Sequence, residues 1–109
     1  MLLVTDERFL DHRAGSHHPE QPARLTAVWD GLEAAGLREA MVRTEPRMAE
    51  VDEMLAVHPA THLDRLAEVD AAGGGRIDAD TVMNAESWTA ARLAAGAGLV
   101  AVDSLREGE

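Results

Sequence analysis

The chain opens on a short apolar run, Leu2-Leu3-Val4-Thr5, followed at once by charge, which predicts a buried parallel strand rather than an alternating edge strand. Asp6 to His18 carries charge, Gly15 and no sustained period, so it reads as a long loop leaving the strand's carboxyl end. In open α/β sheets ligands bind at that end. Apolar residues then recur at Leu25, Val28, Trp29, Leu32 and Ala35, one face of a helix entered at Pro22, where a missing N–H costs nothing, and stopped at Gly36. Met41-Val42-Arg43-Thr44 predicts a second strand before the turn at Glu45-Pro46. Strand, helix and strand over about forty residues suit a right-handed βαβ unit.

From Ala49 the period is helical again, with Val51, Met54 and Leu55, then Leu63, Leu66 and Val69 beyond a break at Pro59. Two short helices joined at that proline are expected, ended by Gly73-Gly74-Gly75. Arg76 to Met83 reads as a polar connection. Asn84 is expected to cap a last helix whose buried stripe is Trp88, Ala91, Ala95, Leu99 and Val102. Gly96 and Gly98 inside that helix each cost about 1 kcal/mol against Ala, which points to close packing on a neighbour. The expected fold class is α/β, with two short parallel strands and about four helices in one incomplete domain over residues 1–109.

Composition narrows the chemistry. Hydrophobic residues make up 46% but aromatics only 3%, so an Ala-, Leu- and Val-rich core buries little area per residue and the stability margin is thin. The net charge of −10 repels phosphate backbones and anionic lipid, which argues against nucleic-acid and membrane partners. Every basic residue is Arg, which excludes a Walker A loop or a Schiff-base lysine from this chain. The absence of cysteine removes disulfides, thiolate nucleophiles and Cys-based zinc sites. With no segment resembling a signal peptide or membrane span, a cytoplasmic protein is expected.

Candidate sites compete with plainer readings. His12, His17 and His18 lie on one loop and imidazole suits zinc and nickel, so a nickel or zinc carrier is one reading. Adjacent histidines reach one tetrahedral ion with difficulty, which favours solvated or supporting histidines instead. His58-Pro59-Ala60-Thr61-His62 has zincin spacing, but Pro59 stands where the general-base Glu belongs. Asp78-Ala79-Asp80 lacks the later ligands of an EF-hand, and Gly73 to Gly75 has no Lys after it.

Several stretches taken together carry a family likeness: Leu3-Val4-Thr5-Asp6, Asp11-His12, Gly15 and His18-Pro19-Glu20-Gln21-Pro22-Ala23-Arg24-Leu25, followed in order by Leu32-Glu33 to Gly36-Leu37, Val57-His58 to Leu66, and Asp78-Ala79-Asp80-Thr81 to Ser87-Trp88. This series resembles the amino-terminal portion of the zinc-dependent histone deacetylase family, closest to its bacterial class II-like, acetylpolyamine amidohydrolase and acetoin-utilisation branch. The resemblance implies an arginase-like three-layer fold. It implies that His18, Pro19 and Glu20 line the wall and rim of an acyl-lysine channel, that Arg24 lies near the foot of the pocket, where acetate is released, and that Asp80 to Asn84 form a second rim loop. Asn84-Ala85-Glu86-Ser87 departs from the Ser-Pro-Gly-Ser of similar members, and His62 stands where Tyr is common.

The family's paired histidine bases, its Asp, His and Asp zinc ligands and its transition-state Tyr have no counterpart here, and the chain contains no Tyr. No catalytic residue, metal ligand or cofactor is therefore expected in this chain, with zinc in the complete family enzyme. The resemblance implies an acetylated lysine or polyamine as the substrate of that complete enzyme. The expected function is that of an inactive amino-terminal portion of a deacetylase. The alternative is a non-catalytic interaction module that self-associates through its unfinished sheet edge.

Overall fold

The computed structural model describes residues 1–108. Strand β1 (Leu2–Val4) pairs in parallel with β2 (Val42–Thr44), Leu3 opposite Arg43. The ladder extends one bond at each end, Val42 N–H to the Met1 carbonyl at 2.8 Å and Thr5 N–H to that of Thr44 at 3.2 Å. Between them runs α1 (Pro22–Ala34), with proline in its first turn as expected. It ends in a Schellman motif: Gly36 takes φ +72°, and the N–H groups of Gly36 and Leu37 reach the Glu33 and Leu32 carbonyls. The same motif closes α3 (Ala60–Ala71), where Gly73 at φ +87° and Gly74 donate to Asp70 and Val69. A short α2 (Val51–Leu55) precedes α3, separated from it by Pro59, and α4 (Ser87–Arg106) is the longest element.

Two stretches expected to be irregular have structure. Glu7–Asp11 forms a 3-10 turn capped by Asp6, whose carboxylate accepts from the Arg8 N–H at 2.8 Å and from its guanidinium. These bonds lower the Asp6 pKa to about 2. The connection at Arg76 to Met83 is a small antiparallel hairpin, β3 (Gly75–Arg76) and β4 (Val82–Met83), closed by Ile77 N–H on the Thr81 carbonyl at 2.8 Å. Strands of two residues carry no readable alternation, so the pattern showed only polarity.

The core is small. Ala49, Met54 and Leu63 cluster from the segment before α2, from α2 and from α3, with Trp88 and Leu99 of α4 against them. The predicted buried faces are corrected at two helices. In α1 no residue is buried and Val28 is 57% exposed, because its main packing partner is the 3-10 turn. In α4 the buried line is Ser87, Ala90, Leu93 and Gly96; of the expected stripe Trp88 and Leu99 pack against the core, while Ala91, Ala95 and Val102 are exposed. An Ala- and Gly-rich helix has almost uniform hydropathy, so steric fit chooses its inward face. At Gly96 a Cβ would lie 1.6 Å from the Arg47 carbonyl oxygen. That contact docks the segment before α2, where Ala49 N–H donates to the Arg92 carbonyl at 3.0 Å and the Arg92 guanidinium returns two bonds to the Ala49 carbonyl. Gly98 has open space around it, so the expected close packing applies to Gly96 alone.

Candidate functional site

The loop after β1 and the β3–β4 hairpin meet on one side of α4. Gly15, at φ +134°, turns the loop back so that His18 N–H reaches the Gly15 carbonyl at 3.3 Å. The His18 ring joins the two loops. Its Nδ1 is 3.0 Å from the Glu20 N–H, which can only donate, so Nδ1 is unprotonated; the ring proton is on Nε2 and is donated to the Asp80 carbonyl at 2.7 Å. Asp80 is itself held, its N–H donating to the Asp78 carboxylate at 2.9 Å. That bond and one from the Thr81 hydroxyl keep the Asp78 carboxyl below its ordinary range. From α3, the Arg65 guanidinium donates to the Ile77 carbonyl and fixes the near side of the hairpin.

A second tie runs through Asn84. Its amide Nδ2 donates to the Asp11 carbonyl at 2.7 Å, which orients the group and leaves Oδ1 to accept from Glu86 N–H at 3.1 Å and from the Ser87 hydroxyl at 2.8 Å. Because that hydroxyl proton is committed, Ser87 Oγ accepts from Asn84 N–H at 2.8 Å and from His12 Nδ1–H at 2.6 Å. The expected cap is thereby corrected. Helix α4 starts at Ser87 with Glu86 at the N-cap position, and Asn84 acts upstream by closing a turn. The buried Ser87 and its bond to His12 escaped the sequence reading, although the Asn-x-x-Ser spacing ahead of a helix was a usable signal.

These ties border an open, mainly apolar cavity of about 1070 Å³, whose walls include Leu25 and Val28 of α1, Ile77 and Met83 of the hairpin, and Trp88 of α4. His12, His18, Glu20, Arg24 and Asp80 lie along it. Pro19 borders a smaller adjoining recess with His17. The Arg24 guanidinium pairs with the Glu20 carboxylate at 2.8 Å, one helical turn away, with both side chains more than half exposed. Such a pair contributes at most about 1 kcal/mol, so Arg24 can exchange one carboxylate for another at little cost. The loop histidines diverge: His12 turns to Ser87 and His18 to Asp80. No group of three or more His, Cys, Asp or Glu side chains suited to a metal ion occurs among the described residues. No helix among them is long and apolar enough to cross a membrane.

Comparison with known proteins gives this geometry a setting. The model of the histone deacetylase domain matches residues 18–109. A probable deacetylase of Methanothermobacter thermautotrophicus is 39% identical over 92 residues, which cover 84% of this chain and 27% of that protein. The histone deacetylase-like amidohydrolase of Pseudomonas aeruginosa is 30% identical, over 95% of this chain and 32% of that protein. The crystal structure of the HDA15 HD domain superposes with a TM-score of 0.79 at 32% identity, covering 88% of this chain and 29% of that one. The chain thus spans about a third of the length of such relatives.

Proposed function

This chain belongs to the histone deacetylase family, and we propose that it is the amino-terminal portion of a zinc-dependent deacetylase or amidohydrolase domain that cleaves acetyl-lysine or acetylpolyamine amides when complete. The family match over residues 18–109 carries the proposal. In this reading His18, Pro19 and Glu20 form one rim of the substrate channel, and Asp80 to Asn84 the other. His18 spans the two rims from a single tautomer, so it sets the channel's width rather than moving a proton. Arg24 borders the cavity with a planar fork suited to a carboxylate, and an acetate leaving the site would compete with Glu20 for it.

The catalytic zinc does not fit the loop after β1. His12 Nδ1 is bonded to Ser87, and both ring nitrogens of His18 are taken by Glu20 and Asp80, so this loop offers no ligand set and the proposal places the catalytic ion's ligands outside this chain. The chain by itself is proposed to be inactive. The lack of cysteine suits a reducing compartment such as the cytoplasm.

The test is a chimera. Residues 1–109 replace the matching portion of the amidohydrolase relative, and acetate release from an acetyl-lysine peptide and from an acetylated polyamine is measured with zinc present. Activity in the chimera and none in the isolated chain is the expected result. Hydrolysis by the purified chain alone, or a folded chimera that stays inert while its parent is active, would overturn the proposal.

One feature favours a second reading as an interaction module. Among the described residues the parallel sheet has two strands, and Val42 on one of them is 59% exposed. A defined oligomer by light scattering, combined with cooperative unfolding of the isolated chain, would support that module.

A further inference from the structure

The joint between α2 and α3 carries a histidine pair that the deacetylase reading does not use. His58 lies in the turn after α2, its N–H on the Met54 carbonyl at 3.0 Å, and His62 lies in the first turn of α3, its N–H on the Pro59 carbonyl at 3.1 Å. Pro59 between them is the N-cap residue at φ −67° and ψ 149°, so the pair does not sit on one continuous helix. The two rings nevertheless converge, with centroids 5.1 Å apart and planes at 40°. His58 is exposed, His62 half-buried, and neither ring has a hydrogen-bond partner among the described residues.

We propose that His58 and His62 form a two-imidazole site for a divalent cation of the zinc, nickel and copper group. The 5.1 Å separation fits two rings sharing one ion. With a metal–nitrogen distance of ~2.0–2.1 Å and a ring nitrogen ~1.1 Å from its centroid, two imidazoles at a tetrahedral angle have centroids ~5.2 Å apart. Neutral imidazole selects the borderline cations, whereas magnesium and calcium prefer oxygen ligands. The proline between the histidines restricts the backbone that carries them, which lowers the entropy lost on binding. The net charge of −10 raises the cation concentration around the chain.

Only two protein ligands are present, so the remaining positions belong to water and the ion is exchangeable. Pro59 occupies the place of a zincin's general base, so no side chain at that position can take a proton from a bound water. The ion would pin the turn after α2 to the first turn of α3. This proposal stands independently of the deacetylase reading.

The test uses the full chain at pH 7.5, titrated with zinc chloride by calorimetry while the histidine ring resonances are followed by NMR. One ion per chain is expected, with the His58 and His62 signals shifting together and a zinc-dependent rise in Tm. His58→Ala, His62→Ala and His62→Gln should each weaken zinc binding at least about tenfold and remove the Tm rise, with circular dichroism checking that each variant keeps its helices. A His17→Ala variant, which changes the loop histidine that bridges neither the hairpin nor α4, should bind zinc as the parent does, and magnesium chloride should give no signal. The proposal is overturned if the parent chain does not bind zinc, if only one of the two rings responds, or if binding survives in folded His58 and His62 variants.

Discussion

Replacing Gly96 by Ala puts a methyl carbon 1.6 Å from the Arg47 carbonyl oxygen and 2.7 Å from its carbon, where backbone rather than a flexible side chain must yield. On helix propensity alone a glycine-to-alanine change stabilises by about 1 kcal/mol. Gly98, two residues on in the same helix, has nothing within 4 Å of the added methyl, so Gly98→Ala should show that increment undisturbed. At Gly96 the docked segment has to move by roughly 1.5 Å or more to reach ordinary van der Waals distance. Such a shift breaks the Ala49–Arg92 backbone bond and the two guanidinium bonds to the Ala49 carbonyl, and it uncovers Ala49, now 1% exposed. One neutral bond and a charge-assisted pair together contribute about 3–4 kcal/mol. Set against the propensity increment, Gly96→Ala should destabilise by about 2–3 kcal/mol, of opposite sign to Gly98→Ala. Urea unfolding followed by Trp29 and Trp88 fluorescence and by circular dichroism would measure both. A Gly96→Ala chain that does not fold beside a stable Gly98→Ala chain counts with the expected result. Equal stabilisation by the two substitutions would refute the packing argument.

Other consequences are as direct. Arg47 and the Glu50 N–H hold Glu53 at a pKa of about 2, below its ordinary 4.5, so its contribution is full above pH 4.5 and is lost as pH falls toward 2. Glu53→Gln should therefore flatten the acid limb of the stability curve in that window, measured by thermal melts across pH. Ser87→Ala leaves His12 Nδ1 and Asn84 N–H without a partner, while Asn84 Oδ1 keeps the Glu86 N–H, and should cost about 1–3 kcal/mol in urea unfolding. His18→Ala removes the tie between the two loops. Hydrogen exchange at the Glu20 amide should quicken while exchange at the α3 amides stays unchanged, and in the parent chain ring nitrogen shifts should report a proton on Nε2.

Much of the fold was written locally. The apolar run at Leu2–Val4, the short stretch Met41 to Thr44 before Pro46, Pro22 in a first turn, and Gly36 and Gly73 at helix ends specify strands, a helix start and two Schellman stops, because each depends on nearest-neighbour backbone geometry. The ordered motif from His18 to Arg24 was likewise legible, and the match to the histone deacetylase domain begins at the same residue. Pairing across the chain was not. That His18 meets Asp80, that His12 meets Ser87, and that Asn84 reaches back to Asp11 depends on how the hairpin sits against the first loop. On α4 Trp88 and Leu99 met the core as expected, but Ala91, Ala95 and Val102 did not, for the same reason: along Ala and Gly the hydrophobic signal is nearly flat, and a carbonyl from a segment some fifty residues upstream selected the face by shape. By itself the sequence determined the parallel strand pair, the ends of α1 and α3, and which family the chain resembles. Only the tertiary structure decided which side chains meet, because contacts between distant residues depend on the packing of every element between them.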